Sequence, residues 1–116
     1  MKYLFLLWSD ESKAPAFGTP EMDKQMAAYG AMYESAAGAG VFQTGDPLQP
    51  SAAGQTVRVR DGRTDAAKGP FSSGPEQLIG FYALDCKDDA DAAAWAAKIP
   101  AASTGGAVEV RPVLSM

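Results

Sequence analysis

Two segments of this chain are apolar on both faces of an extended strand, and that pattern restricts the fold more than any other feature. Tyr3-Leu4-Phe5-Leu6-Leu7-Trp8 has no polar position at all. A strand of this kind has to be covered on both sides, so it belongs in the middle of a sheet. Glu76 to Cys86 repeats the pattern. Strict alternation sets Leu78, Tyr82 and Leu84 on one side and Ile79, Phe81 and Ala83 on the other. Gly80, in the middle of this run, predicts a bulge or a close backbone approach.

The remaining elements follow from local signals. Thr19-Pro20-Glu21 is a helix start: a hydroxyl N-cap, proline at the first position, and an acid at the positive end of the dipole. Met22, Met26, Tyr29, Met32 or Tyr33, and Ala36 follow as its inward stripe, and Gly38 and Gly40 end it near Ala37. Val41 to Thr44 reads as a short strand closed by a Gly45-Asp46-Pro47 turn, and Leu48 to Gly54 as a loop. Thr56 to Arg60 alternates with period two, and Asp61-Gly62 is a strong hairpin turn; the return arm from Arg63 to Ala66 has little apolar content. A loop runs from Lys68 to Pro75. Asp88 or Asp89 caps a second helix that turns Ala92, Trp95, Ala96 and Ile99 inward and stops at Pro100. Val108 to Arg111 is a last strand with one polar face, where Pro112 suits an edge or a strand end.

The order is β-α-β, a hairpin, then β-α-β. In 116 residues this makes one α+β domain with a ferredoxin-like antiparallel sheet and two helices on one face. The core it can build is thin. Of the 47% of residues that are apolar, 22 are alanine, and Leu, Ile, Val and Phe together number only 20. That is about 17%, at the edge of the disordered range, although the low net charge and the clear periodicity argue for a fold. A lone Cys86 and no histidine rule out a structural disulfide, a Cys/His zinc site and a catalytic triad. Two helices cover only one sheet face, yet the two central strands carry about six large side chains on the other. At about 1.5–3 kcal/mol each, leaving them wet would forgo on the order of 10 kcal/mol, comparable to a domain's net stability. A second copy, sheet against sheet, is the expected cover, so the chain is expected to be a homodimer.

The bulk properties narrow the partners. With a net charge of −4 and a pI near 4.6, a nucleic-acid binder is not expected. Arg58, Arg60 and Arg63 form the one local basic cluster, either a solvated hairpin face or an anion-binding patch. No stretch approaches the ~20 apolar residues of a membrane span, and the short run after Lys2 is interrupted by Asp10, Glu11 and Lys13, unlike a signal peptide. A cytoplasmic protein is expected, in keeping with a single unpaired cysteine. Asp88 and Asp89 beside Cys86 raise a thiol pKa, which makes a nucleophile of it unpromising. Glu109 and Arg111 project from one side of the last strand and are expected to pair in solvent.

Several segments, in order along nearly the whole chain, resemble the YCII-related family, specifically its DGPF-domain branch. They are Met1-Lys2-Tyr3-Leu4, Ala28-Tyr29-Gly30-Ala31, Gly45-Asp46-Pro47-Leu48-Gln49-Pro50, Thr56 to Arg63, Gly69-Pro70-Phe71, Glu76-Gln77-Leu78 with Gly80-Phe81-Tyr82, and Val108 to Val113. The resemblance implies a dimeric α/β barrel of two ferredoxin-like subunits with a cleft near the interface. It also implies, by association with extracytoplasmic-function sigma factors in some members, a regulatory or ligand-sensing setting. Two departures matter. The branch's namesake tetrad begins with Asp, where this chain has Lys68. The wider family's first-helix histidine, proposed to pair with an aspartate as an acid/base dyad, is replaced by Tyr29. A phenol of pKa near 10 is a poor general base at neutral pH, so the proposed activity does not carry over.

The candidate cleft comprises Trp8, Tyr29, Asp46, Lys68, Phe71 and Tyr82, with no metal or cofactor expected. Five of the six have a plainer account: Tyr29 and Phe71 as core residues, Trp8 as interface packing, Asp46 as a turn residue, and Lys68 with Gly69-Pro70 as a simple turn. Three functions stay open. One is a homodimer binding a small acidic or aromatic molecule. Another is a cofactor-free isomerase, lyase or oxygenase using Tyr29, Asp46 and Lys68. The last is an interaction module acting on a sigma factor.

Overall fold

The computed structural model describes residues 1–116. In chain order it contains β1 (Lys2–Asp10), α1 (Pro20–Gly38), β2 (Phe42–Pro47), β3 (Gln55–Arg60), β4 (Arg63–Lys68), β5 (Glu76–Asp85), α2 (Asp89–Ala96) and β6 (Ala107–Pro112). Short 3-10 turns lie at Glu11–Lys13, Ser51–Ala53 and Pro100–Ala102. Four strands form one antiparallel sheet of order β2-β5-β1-β6, and β3 and β4 form a separate two-stranded hairpin. The two doubly apolar segments are the two central strands, and the order is that of two split β-α-β units. The fold is thus α+β, but the sheet of a single chain is open at β2 and β6 and does not close into a barrel. No helix is long and apolar enough to cross a membrane.

Both helices lie on the face formed by Tyr3, Phe5 and Leu7 of β1. There Met32 and Ala36 of α1 and Ala92 and Ala96 of α2 join Leu84, Cys86, Ile99 and Ala101 in one buried cluster. Thr19 caps α1 by accepting from the Met22 amide at 3.3 Å, and Asp88 caps α2 by accepting from the Asp91 amide at 2.9 Å. The inward stripe of α1 is shifted from its expected position. Gln25 is part-buried and Met26 is 58% exposed. Positions 22, 25, 29, 32 and 36 fall within an arc of about 80° at 100° per residue, whereas position 26 lies about 80° from its centre. Apolar character alone suggested Met26; helix phase leaves it on the flank.

β5 carries the bulge that Gly80 suggested. Leu7 pairs with Gly80 and Trp8 with Leu78, so Ile79 is an extra residue. The bulge reverses the facing expected for the residues before it. Ile79 packs on the helix-side cluster with Tyr82, while Leu78 falls in register with Trp8. The other sheet face therefore carries Leu4, Leu6 and Trp8 of β1 with Leu78 and Phe81 of β5, all part-buried and outside the helix-side cluster, and the small Ala83, which is buried among its neighbours. Ala107, Glu109 and Arg111 of β6 border these residues on one side, and Thr44 and Asp46 of β2 on the other. No helix covers this face.

Gly45, Asp46 and Pro47 are not a closing turn; they continue β2 opposite Tyr82, Phe81 and Gly80. Pro47 is tolerated because β2 is an edge strand with one side unpaired. Gly45 is required because a Cβ there would meet the Tyr82 ring at 2.5 Å and the Phe81 carbonyl at 2.9 Å. Asp61 and Gly62 both have positive φ, 51° and 73°, giving the tight turn expected between β3 and β4. Phe71, expected to plug the core, is instead 75% exposed with the Arg58 guanidinium 5.2 Å from its ring centroid. The core cluster is already filled by residues of the central sheet and helices, and the hairpin that precedes Phe71 carries the chain away from it.

The Tyr3 hydroxyl donates to Asp89 Oδ1 at 2.8 Å and ties the start of α2 to β1. That bond, with burial and the charges of Asp89 and Asp88, pushes the phenol up to about 12. An unfolded tyrosine ionises near 10. Below that pH the contribution to stability is complete; as pH rises from about 10 toward 12 the unfolded chain releases its proton first and stability falls. Urea unfolding midpoints should therefore drop across this window, with a shallower drop in Tyr3→Phe; an unchanged pH profile would contradict the contact. Glycine replacement gives a second check. Gly45→Ala should lose about 1–3 kcal/mol by overpacking. Gly30→Ala, in open space within α1, should gain up to about 1 kcal/mol. Equal effects at the two sites would refute the Tyr82–Gly45 packing.

Candidate functional site

Between β2 and the hairpin the chain has little apolar material, and three local devices shape this stretch into a groove. Glu11, just past the end of β1, accepts from the Ser51 amide at 2.8 Å and the Ser51 hydroxyl at 2.5 Å, which fixes the 3-10 turn at Ser51–Ala53. At the hairpin base the Gly69 amide donates to the Gly54 carbonyl at 2.8 Å and Lys68 Nζ to the Ala53 carbonyl at 3.2 Å. Gly69 has a φ of 106°, the left-handed turn that glycine before Pro70 permits. Gln77 of β5 is buried, and its amide nitrogen donates to the Ser72 and Gly74 carbonyls at 2.9 and 2.8 Å, pinning the loop before β5.

The resulting open groove has a volume of about 530 Å³, within the range of small-molecule sites. Its walls are the segment Leu48 to Ser51, Ala53 to Gln55, Gly69-Pro70, and Gln77-Leu78. The side-chain amides of Gln49, Gln55 and Gln77 give it neutral hydrogen-bonding groups, and Leu48, Leu78 and the prolines give apolar floor. No charged side chain lines it.

The six candidate residues divide into two groups. Lys68 and Phe71 flank the lining pair Gly69-Pro70; Trp8 pairs in register with the lining residue Leu78; Asp46 lies two residues before Leu48. None of the six lines the groove; these four are neighbours of its lining residues in sequence or in strand register. Tyr29 and Tyr82 lie on the opposite side of the sheet, packed against the helix-side core. There Tyr82 meets Phe42 edge-on at 6.3 Å, and Tyr33 meets Phe42 at 4.8 Å. Burial raises both phenols, and Tyr82 raises Tyr29 further against the opposing effect of the Ala101 amide. Tyr29 is thus a protonated phenol at neutral pH on the far side of the sheet from Asp46. One chain does not bring Tyr29, Asp46 and Lys68 together into an acid/base set.

Asp46 is an exposed edge-strand residue whose carboxylate has no hydrogen bond or ion pair in its own chain, and its expected turn is absent because β2 runs on to Pro47. Trp8 donates from Nε1 to Glu109 Oε1 at 3.1 Å, and Glu109 pairs with Arg111 at 3.3 Å as expected. Cys86 is a buried free thiol; burial first, then Asp91 and Asp85, push it up. The acids responsible are not the Asp88 and Asp89 expected from adjacency, since Asp88 caps α2 and Asp89 accepts from Tyr3.

Glu11 and Gln77 were missed as positioning residues. Gln77 had a signal, a polar side chain at an inward position of an otherwise apolar strand. Glu11 had none, because its partner lies 40 residues away across a loop.

Two comparisons bear on this arrangement. An uncharacterised protein of Rhizobium meliloti (strain 1021) is 33% identical over 114 residues, covering 97% of this chain and 92% of that protein. The family model of the YCII-related domain matches residues 1–116, the entire sequence. With the whole domain matched and its split β-α-β topology in place, this chain belongs to the YCII-related family.

Proposed function

We propose that the protein is a homodimeric small-molecule-binding module, its two sheets packed face to face as a dimeric α/β barrel and its ligand held in the groove at the hairpin base. The observation that carries this reading is the second sheet face. Leu4, Leu6, Trp8, Leu78 and Phe81 lie together with no helix over them. The chain's surface supports it. At 12.1 kDa a compact monomer exposes about 6,000 Å², whereas this chain exposes 7852 Å² and buries only 15 of 116 residues. The excess of about 1,800 Å² per chain is on the scale of a permanent dimer interface. The molecule is a slab of 48 × 43 × 18 Å with a radius of gyration of 15.9 Å, against roughly 13 Å for a compact domain of this length.

Leu78 belongs both to the groove and to that face, so a second copy would also cover part of the groove. Neutral amides along its walls and Lys68 at its rim suit a small molecule with several hydrogen-bond acceptors, a carboxylate among them. Placement in the DGPF-domain branch belongs to the same proposal, and a sigma-factor setting rests on the family resemblance alone.

Sedimentation of Leu6→Glu and Phe81→Glu tests the assembly. Each sets a charge in the dry centre of the sheet-to-sheet contact and should turn a dimer into a folded monomer; unchanged dimers would place the interface elsewhere. A thermal-shift screen of carboxylate-bearing metabolites tests the groove. At least one should raise Tm in the wild type and lose most of that shift in Lys68→Ala. A screen without hits, or hits indifferent to the substitution, would count against the groove.

A further inference from the structure

The hairpin of β3 and β4 stands apart from its own chain. Every residue from Gln55 to Lys68 is exposed except Thr56, and the two strands pair with each other and with no strand of the main sheet. The hairpin's hydrogen bonds to the rest of the chain lie at its base, through Lys68 and Thr56, and Arg58 sits over the Phe71 ring of the loop that follows. A lone two-stranded hairpin is at best marginally stable in water.

Its two faces differ. Val57 and Val59 stand opposite Ala66 and Thr64 on one face, with the valines 53% and 66% exposed. The other face sets Arg58 opposite Asp65 and Arg60 directly opposite Arg63. Like charges in that position are destabilising unless an acid sits nearby, and no ion pair of the chain involves a hairpin residue. Four cations (Arg58, Arg60, Arg63, Lys68) and two acids (Asp61, Asp65) give the hairpin a charge of +2. With −4 for the whole chain, the remainder carries −6.

We propose that this hairpin is an arm that embraces a second copy of the chain, setting Val57 and Val59 against the other subunit and its arginine pair beside acidic groups there. Three observations select a second copy as the occupant. A +2 arm complements a −6 body of the same sequence. The arm leaves the chain at Gly54 and Gly69, which line the same groove as Leu78, a residue of the open face. Asp46, an exposed and unpaired carboxylate on that face, is a suitable acid for the arginines. In this arrangement each groove is roofed by the dimer, and the loop with Phe71 under Arg58 lies at the junction. The inference rests on the homodimer reading and adds to it a specific contact that the dimer could lack.

Hydrogen exchange of the wild type, read by mass spectrometry at concentrations above and below the dimer dissociation constant, tests it without a substitution. Amides of residues 55–68 should exchange at least tenfold more slowly in the dimer than in the diluted monomer. The double variant Val57→Glu/Val59→Glu should raise the dissociation constant at least tenfold while β1 and β5 amides keep their protection, the check that the fold survives. Fast exchange of the arm within an established dimer overturns the arm and leaves the dimer standing. So does protection that dilution does not change, or a double variant that dimerises like the wild type. A wild type that is monomeric at every concentration overturns the homodimer reading and the arm with it.

Discussion

The structure depends on one constraint: its two central strands, β1 and β5, are apolar on both faces, while the chain supplies helices for only one. On the helix side, the division of labour between elements explains a composition that looked too thin for a core. The large residues sit on the sheet, as Tyr3, Phe5, Leu7 and Leu84, and the helices meet them with Ala36, Ala92 and Ala96. Alanine lets a helix approach closely, so a few aromatic and aliphatic side chains from the strands fill the space between layers. Three alanines are therefore the contact surface of the helices, while the other helical alanines, such as Ala27, Ala31, Ala93 and Ala94, face outward. On the other side nothing in the chain answers Leu4, Leu6, Trp8, Leu78 and Phe81, and the proposed dimer follows from that asymmetry.

The sheet also divides the chemistry. Tyr29 and Tyr82 belong to the helix-side packing, where burial keeps them protonated and Gly45 makes room for the Tyr82 ring. Trp8, Asp46, Lys68 and Phe71 belong to the open side and the hairpin base. A proton-transfer centre assembled from both groups would have to reach through the sheet. The groove at the hairpin base is lined by neutral side chains, among them three glutamines, two prolines and two leucines. Lys68 is engaged in closing the hairpin base through the Ala53 carbonyl. It thus helps to set the frame of the groove.

Much of this was readable from residue order, because the signals were local and strong. Thr19-Pro20 and Asp88 mark helix starts by chemistry confined to one turn, and Asp61-Gly62 specifies its hairpin almost alone. The departures arise where a distant partner decides. Gly45 to Pro47 resembles a turn until Tyr82 is seen lying across Gly45, after which it can only be strand. Leu78 and Ile79 exchange faces because a bulge shifts the count by one, and alternation cannot show on which side of Gly80 the shift falls. Phe71 looked like a core residue because phenylalanine usually is one, yet the hairpin before it leads away from the core. The groove was not readable: none of the six candidate residues lines it, Lys68 and Phe71 only flank its lining pair Gly69-Pro70, and the two tyrosines, on the other side of the sheet, were joined to them by family position rather than by any physical signal in the chain.

The central claim is that the open sheet face is dry in solution. Hydroxyl-radical footprinting of the wild type reads side-chain contact with water directly, and both faces of β1 and β5 provide internal comparison. Leu6 and Phe81 should label as slowly as Phe5 and Leu84, which the helices cover. Labelling of Leu6 and Phe81 many-fold faster than that of Phe5 and Leu84 would mean that the face is wet, and the account built on its burial would fail.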